Sequence, residues 1–148
     1  MPATQSDPLI KEVLVAIPPE DAWNLFTDGI DEWWPVESHS VGGDRVAAVV
    51  IEGSVGGRIL ERWGDGTESV WGEVQIWEPP RHLRCTWHPG RDASEATEVE
   101  VWFEDRDGGT RLRLEHRGWE RRGEKAVEMR SSYDSGWDFV LGRYEGAT

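Results

Sequence analysis

The chain has 148 residues, with 29 acidic against 16 basic side chains and a formal net charge of −13. A surface that acidic repels phosphate backbones and anionic membranes, so nucleic-acid binding is not expected and a neutral or cationic partner is favoured. One cysteine, Cys85, cannot form a disulfide within the chain and fits a reducing compartment.

In chain order, Leu9 to Ile17 is β-branched and apolar and reads as a first strand. Pro18-Pro19-Glu20-Asp21 opens a helix, because proline is tolerated in the first turn and acids suit its dipole. Ala22, Trp23, Leu25 and Phe26 supply its apolar face, and Asp28-Gly29 ends it. A second short helix through Ile30 to Trp34 stops before Pro35. Strand signals then recur at hairpin spacing over Val46–Glu52, Arg58–Trp63, Ser69–Trp77, His82–His88, Thr97–Glu104 and Arg111–Arg117. Glycine, proline and aspartate turns separate them, as in an antiparallel meander. From Glu124 to Tyr144 the apolar period becomes three to four residues, without proline, which predicts a long amphipathic helix. A sheet with one apolar face needs a cover, and this helix is the only element long enough to be it.

Strand alternation sorts the side chains. Thr97, Val99, Val101 and Phe103 share an inward face with Leu112, Leu114 and His116 of the next strand, and with Leu83, Cys85 and Trp87. Val74 and Ile76 are read as inward. Trp71 and Trp77 fall on the outward parity unless a bulge near Gly72 intervenes. Ten tryptophans against three phenylalanines and two tyrosines make indoles the main aromatic bulk of the core. Adjacent Trp33 and Trp34 cannot point the same way, so one ring closes the core and the other finds a second use. The apolar interior is either filled by Trp87, Tyr133 and Trp137 or lined by them around a cavity of roughly 300–1,000 Å³, the usual ligand size.

The ordered set of short motifs resembles a known family. Its carriers are Ile17-Pro18-Pro19-Glu20-Asp21-Ala22-Trp23, Val55-Gly56-Gly57-Arg58 with Glu61, and Trp71-Gly72-Glu73-Val74 with Trp77-Glu78-Pro79-Pro80. They continue with Leu83 and Trp87, Gly109-Thr110-Arg111-Leu112 with Leu114-Glu115-His116, and Tyr133 with Gly136-Trp137. In order, they cover nearly the whole chain. The chain is similar to the START-like helix-grip (SRPBCC) superfamily, which includes lipid-transfer domains and polyketide cyclases. Within it, the chain resembles the branch named after the activator of heat shock protein 90 ATPase, homologue 1. The resemblance implies an α+β helix-grip fold over residues 1–148. In that fold a curved antiparallel sheet of six to seven strands wraps a long C-terminal helix, two short helices follow the first strand, and an elongated apolar cavity lies between sheet and helix.

The functional expectation is a single domain that binds a small apolar or aromatic molecule through Trp34, Glu61, Trp87, His116, Tyr133 and Trp137. The alternatives are a cyclase- or hydrolase-type enzyme using His116 as acid or base, with Glu61 as its carboxylate partner, and a protein-binding module like the chaperone activators. Against the pair stands the plainer reading of His116 as a satisfied core histidine. No metal or cofactor is expected: the four histidines have no ligand-like spacing and no nucleotide-binding glycine motif occurs. Arg117, Arg121, Arg122 and Lys125 read as a solvated loop. A homodimer would cover outward Trp71, Trp77 and Trp102. The leading MPATQSDPLIKE has neither the basic region nor the apolar run of a signal peptide. No segment approaches the roughly 18 apolar residues of a membrane span. The expected location is therefore the cytoplasm, without membrane insertion.

Overall fold

The computed structural model describes residues 7–148; residues 1–6, part of the leading stretch read above, lie outside the described residues. Strand β1 (Leu9–Val15) is followed by helices α1 (Pro19–Phe26) and α2 (Ile30–Trp33). Six strands come next: β2 (Val46–Ile51), β3 (Arg58–Trp63), β4 (Glu68–Glu78), β5 (His82–Trp87), β6 (Thr97–Arg106) and β7 (Gly109–Arg117). A 3₁₀ segment (Trp119–Lys125) leads into α3 (Ala126–Ala147). All seven strands join one antiparallel sheet in the order β1-β7-β6-β5-β4-β3-β2. The sheet curls around α3, which is the helix-grip arrangement.

Proline stands in the first turn of α1 with Glu20 and Asp21 beside it, and Ala22, Trp23 and Phe26 are its buried face. Helix α3 buries Ala126, Trp137, Val140, Leu141 and Tyr144. The Tyr144 hydroxyl donates to the Ala22 carbonyl at 2.8 Å and ties α3 to α1. Lys11 of edge strand β1 pairs with Asp134 and Asp138, which holds the other flank of α3 to the sheet.

The β6–β7 alternation is as read from the sequence. Val99, Val101, Phe103, Leu112, Leu114 and His116 are buried. On the outer face Glu98 stands opposite Arg117 and Glu104 opposite Arg111. Strand β4 departs from simple alternation. Its pairing slips by one residue at Trp71 against β3 and again at Gln75 against β5. The first bulge turns Trp71 fully inward. The second puts Trp77 opposite inward Leu83 and Ile76 opposite outward Arg84, so Ile76 is not an inward residue and Trp77 is not an outward one. Trp77 packs edge-on against Trp23 with centroids 4.9 Å apart. Of the three indoles read as outward, only Trp102 stays there, stacked on His82 at 5.3 Å. Gly72 is required at the first bulge: a Cβ there would lie 1.8 Å from the Thr86 carbonyl oxygen.

Candidate functional site between the sheet and the last helix

Trp33 and Trp34 part company at the end of α2. Trp33 is buried against Phe26 and Tyr144, and its Nε1 donates to the Leu25 carbonyl at 2.8 Å. The next residue is extended backbone before Pro35, which sends Trp34 the other way. Its indole meets Trp71, Trp87 and Trp137 at 5.1, 6.0 and 6.0 Å. These four buried indoles, from the residue that ends α2 and from β4, β5 and α3, form the floor of a cleft of about 250 Å³. Tyr133, Gly136, Trp137 and Val140 supply the helical wall, spaced at one-turn intervals on one face of α3. His39, Ser40, Val41 and Pro89 complete the rim and are partly or well exposed. Trp34, Trp87 and Trp137 also wall a void of about 20 Å³ deeper in the core, beside Cys85. Burial pushes the Cys85 thiol up to about 12.

The rim loop is held from beneath by Glu61. This carboxylate is fully buried. Its Oε1 accepts from Val41 N at 2.8 Å and Trp71 Nε1 at 2.7 Å. Its Oε2 accepts from Gly42 N at 2.6 Å and Trp63 Nε1 at 2.7 Å. Four donors converge on an acceptor-only group, so the charge is compensated locally. Trp34 Nε1 adds a bond to the His39 carbonyl at 2.7 Å, and the His39 ring stacks on Phe139 of α3 at 5.0 Å.

Four of the six residues singled out from the sequence therefore line the cleft: Trp34, Trp87, Tyr133 and Trp137. Glu61 and His116 do not, and no hydrogen bond joins them; Glu61 supports the rim, and His116 lies behind Trp137. His116 is fully buried, with Nδ1 accepting from Trp137 Nε1 at 3.0 Å and Nε2 2.6 Å from Thr97 Oγ1. Thr97 Oγ1 in turn donates to the Trp87 carbonyl at 3.1 Å. The direction of these donors fixes the neutral tautomer, with the proton on Nε2. Burial, with the nearby Arg122 charge adding to it, depresses the His116 pKa to about 3. His116 is therefore a core histidine with both ring nitrogens hydrogen-bonded, one of them to the Trp137 indole.

The sequence reading missed Trp71, whose inward turn depends on the bulge, and the rim residues His39, Ser40, Val41 and Pro89. The neighbourhood of Trp34 was the available signal for the rim: an indole that cannot share its neighbour's pocket needs another surface. Arg122 also departs from expectation. It is 8 % exposed and does not lie in a solvated loop. Among the described residues no group of three or more His, Cys, Asp or Glu side chains gathers as a metal site, and no helix is long and apolar enough to cross a membrane.

A curled sheet gripping one helix, with an aromatic cleft between them, defines a helix-grip cavity protein. The chain belongs to the activator of Hsp90 ATPase homolog 1-like protein family, whose profile matches residues 16–143. Among solved structures it is similar to the anthrahydroquino-γ-pyrone synthase Txn09, determined in complex with the molecule denoted SUM. That similarity has 31% identity and a TM-score of 0.67, and covers 99% of this chain and 100% of that one. It shares the fold of the self-sacrificing resistance protein CalC from Micromonospora echinospora, with 23% identity, a TM-score of 0.73, and coverage of 97% and 95%. It also shares the fold of the Aha1 dimer from Colwellia psychrerythraea, with 18% identity, a TM-score of 0.71, and coverage of 95% of each chain. No curated protein sequence matches it.

Proposed function

We propose that the protein binds a flat aromatic small molecule in the cleft between the sheet and α3. The observation that carries this reading is the cleft itself: about 250 Å³ of space floored by Trp34, Trp71, Trp87 and Trp137. Indoles offer broad apolar faces that suit stacked rings, and a site open at its rim needs no unfolding for entry. The volume sits near the lower end of ligand cavities, roughly 300 Å³, so a molecule of two or three fused rings fits better than a long lipid chain. The likeness to Txn09, a synthase whose name specifies an anthrahydroquinone-derived pyrone, supports a polycyclic aromatic ligand. Quenching of indole fluorescence by anthraquinones and naphthoquinones tests the reading. Saturable quenching with a matching rise in melting temperature is expected; flat titrations across the panel would defeat it.

The same likeness favours a second reading, in which the bound molecule also undergoes ring closure. His116 is an unsuitable base for it, since both ring nitrogens are engaged behind Trp137. The polar groups that do reach the cleft are His39, Ser40 and Tyr133. Product formation from an aromatic polyketide precursor, abolished by substitution at these positions and retained in His116→Gln, is the expected result for an enzyme. A homodimer belongs to this proposal as well. The Colwellia relative is a dimer, and edge strand β1 exposes Ile10 and Leu14. Sedimentation that shows only monomer at tens of micromolar removes it.

A further inference from the structure

Two buried side-chain donors close no hydrogen bond among the described residues: Trp87 Nε1 and Arg122 Nε. Both side chains are more than nine-tenths buried, at 5 % and 8 % exposure. Such donors are costly unless something meets them, and a buried arginine is nearly always paired. Arg122 is not. Its Nη1 reaches only the Met129 thioether sulfur, at 3.5 Å, a weak acceptor. Although acids outnumber bases 29 to 16, no ion pair to Arg122 occurs among the described residues.

The two orphans flank one residue, Tyr133. Trp87 Nε1 lies beside the Tyr133 hydroxyl without closing a bond of good geometry. Met129, which Arg122 touches, is one turn before Tyr133 on the same face of α3. Trp119, from the same 3₁₀ segment as Arg122, has its ring 5.5 Å from that of Tyr133. Arg122 and Arg91 both place positive charge near the Tyr133 hydroxyl, while burial raises its pKa and keeps it a donor. Trp87 and Tyr133 line the cleft; Arg122 stands behind Tyr133 and does not. Glu95, paired with Arg91, offsets the Arg122 charge only from beyond ion-pair distance. The cleft thus has an apolar floor and one corner where an N–H, an O–H and a positive charge without an ion-pair partner among the described residues converge.

We infer that this corner receives an ionised oxygen of the ligand, a carboxylate or an enolate or phenolate, between Trp87 Nε1 and the Tyr133 hydroxyl, with Arg122 as the counter-charge. The inference rests on the cleft being a ligand site and adds the charge and orientation of its ligand. It reverses the preference for a neutral or cationic partner drawn from net charge. The whole surface is acidic, but the binding corner is locally basic. An anion there satisfies both donors that face the cleft and offsets the Arg122 charge in a dry setting, where charge-assisted bonds are strongest. Arg122 is a positioning residue and contributes its field, not a contact.

The test uses two matched anion–neutral pairs, titrated by indole fluorescence at neutral pH. One is naphthoate against naphthamide; the other is an acidic hydroxynaphthoquinone against its methyl ether. The wild-type protein is expected to bind the anion of at least one pair about tenfold tighter than its neutral partner. Whichever pair shows the preference tells carboxylate from enolate. Arg122→Met should abolish the preference and leave the neutral probe's affinity within about twofold, while Arg122→Lys restores part of it. Removing an unpaired buried charge does not threaten folding, so Arg122→Met is a usable variant. Trp87→Phe, which keeps a ring and deletes the donor, should also weaken the anion selectively. Equal affinities within both pairs, or an Arg122→Met loss shared equally by anion and neutral probe, overturns the inference while neutral binding keeps the cleft as a ligand site. Binding of neither member of either pair overturns both.

Discussion

Replacing Glu61 by glutamine preserves the side chain's shape and removes half of its acceptor capacity. The carboxylate accepts two hydrogen bonds on each oxygen, from Val41 N and Trp71 Nε1 on one side and Gly42 N and Trp63 Nε1 on the other. An amide has one oxygen. Whichever way the substituted amide turns, its NH₂ opposes two N–H donors at 2.6–2.8 Å. The oxygen will favour Trp71, which is fully buried, and leave Gly42 N and Trp63 Nε1 facing the amine. Each stranded donor costs about 1–3 kcal/mol, less for Trp63, which is partly exposed and can turn to water. We expect a total loss of about 2–4 kcal/mol. For a chain of this size that lowers the melting temperature by roughly 6–12 °C. The assay is urea unfolding followed by tryptophan fluorescence, with a double-mutant cycle against Trp71→Phe to isolate the shared bond. Ligand affinity should fall as well, because Ser40 and Val41 of the rim sit on this carboxylate. A loss below about 0.5 kcal/mol would refute the reasoning, since it would place Glu61 among ordinary surface positions.

Four further outcomes are expected. His116 is neutral in the fold, with a pKa near 3 against an ordinary 6.5, so the unfolded chain binds the extra proton between those values. Stability is therefore complete above pH 6.5 and falls with acidification toward pH 3, by up to about 1.4 kcal/mol per pH unit; the His116 ring should show no NMR titration between pH 5 and 8. Gly72→Ala should abolish folding or shift the β4–β5 register, visible as lost near-ultraviolet circular dichroism, because its Cβ has no room beside Thr86. Gly136→Leu should do the reverse. Its Cβ meets nothing closer than the His39 ring at 3.8 Å, and leucine favours the helix by somewhat under about 1 kcal/mol, so the variant should melt no lower than wild type yet lose ligand as the side chain fills the cleft. Cys85, buried with its thiol pushed up to about 12, should react with a disulfide reagent only at the rate of unfolding.

Much of the fold was legible because local chemistry and global need agree. The period change from Glu124 onward marked α3, which begins two residues later at Ala126, the turn residues marked the strand ends, and alternation placed the inward stripe of β5, β6 and β7. Strand β4 was not legible by parity. Two bulges add a residue each, so Trp71 and Trp77 reach the core although counting from Val74 sends them out. Gly72 was the only local hint, since a glycine within a strand often marks a bulge. His116 sat visibly at the end of an apolar stripe, but its partners Thr97 and Trp137 come from β6 and α3, distances that no strand pattern encodes. The pairing of His116 with Glu61 failed for the same reason. Glu61 is claimed by four donors, two of them from a glycine loop that looked like a mere connector. Arg122 was lost among its basic neighbours, because a charge run does not tell which member folds back. Gly118 and Gly123, both at positive φ, bracket the segment that turns it inward.

The central claim is that the aromatic cleft is where the ligand sits. Ten indole N–H groups report on it independently in a single ¹H–¹⁵N spectrum. On titration with an anthraquinone probe, the account predicts saturable shifts for Trp34, Trp71, Trp87 and Trp137, with Trp63 and Trp102 unmoved. Shifts centred on Trp102, or a spectrum unchanged at saturating probe, would contradict it.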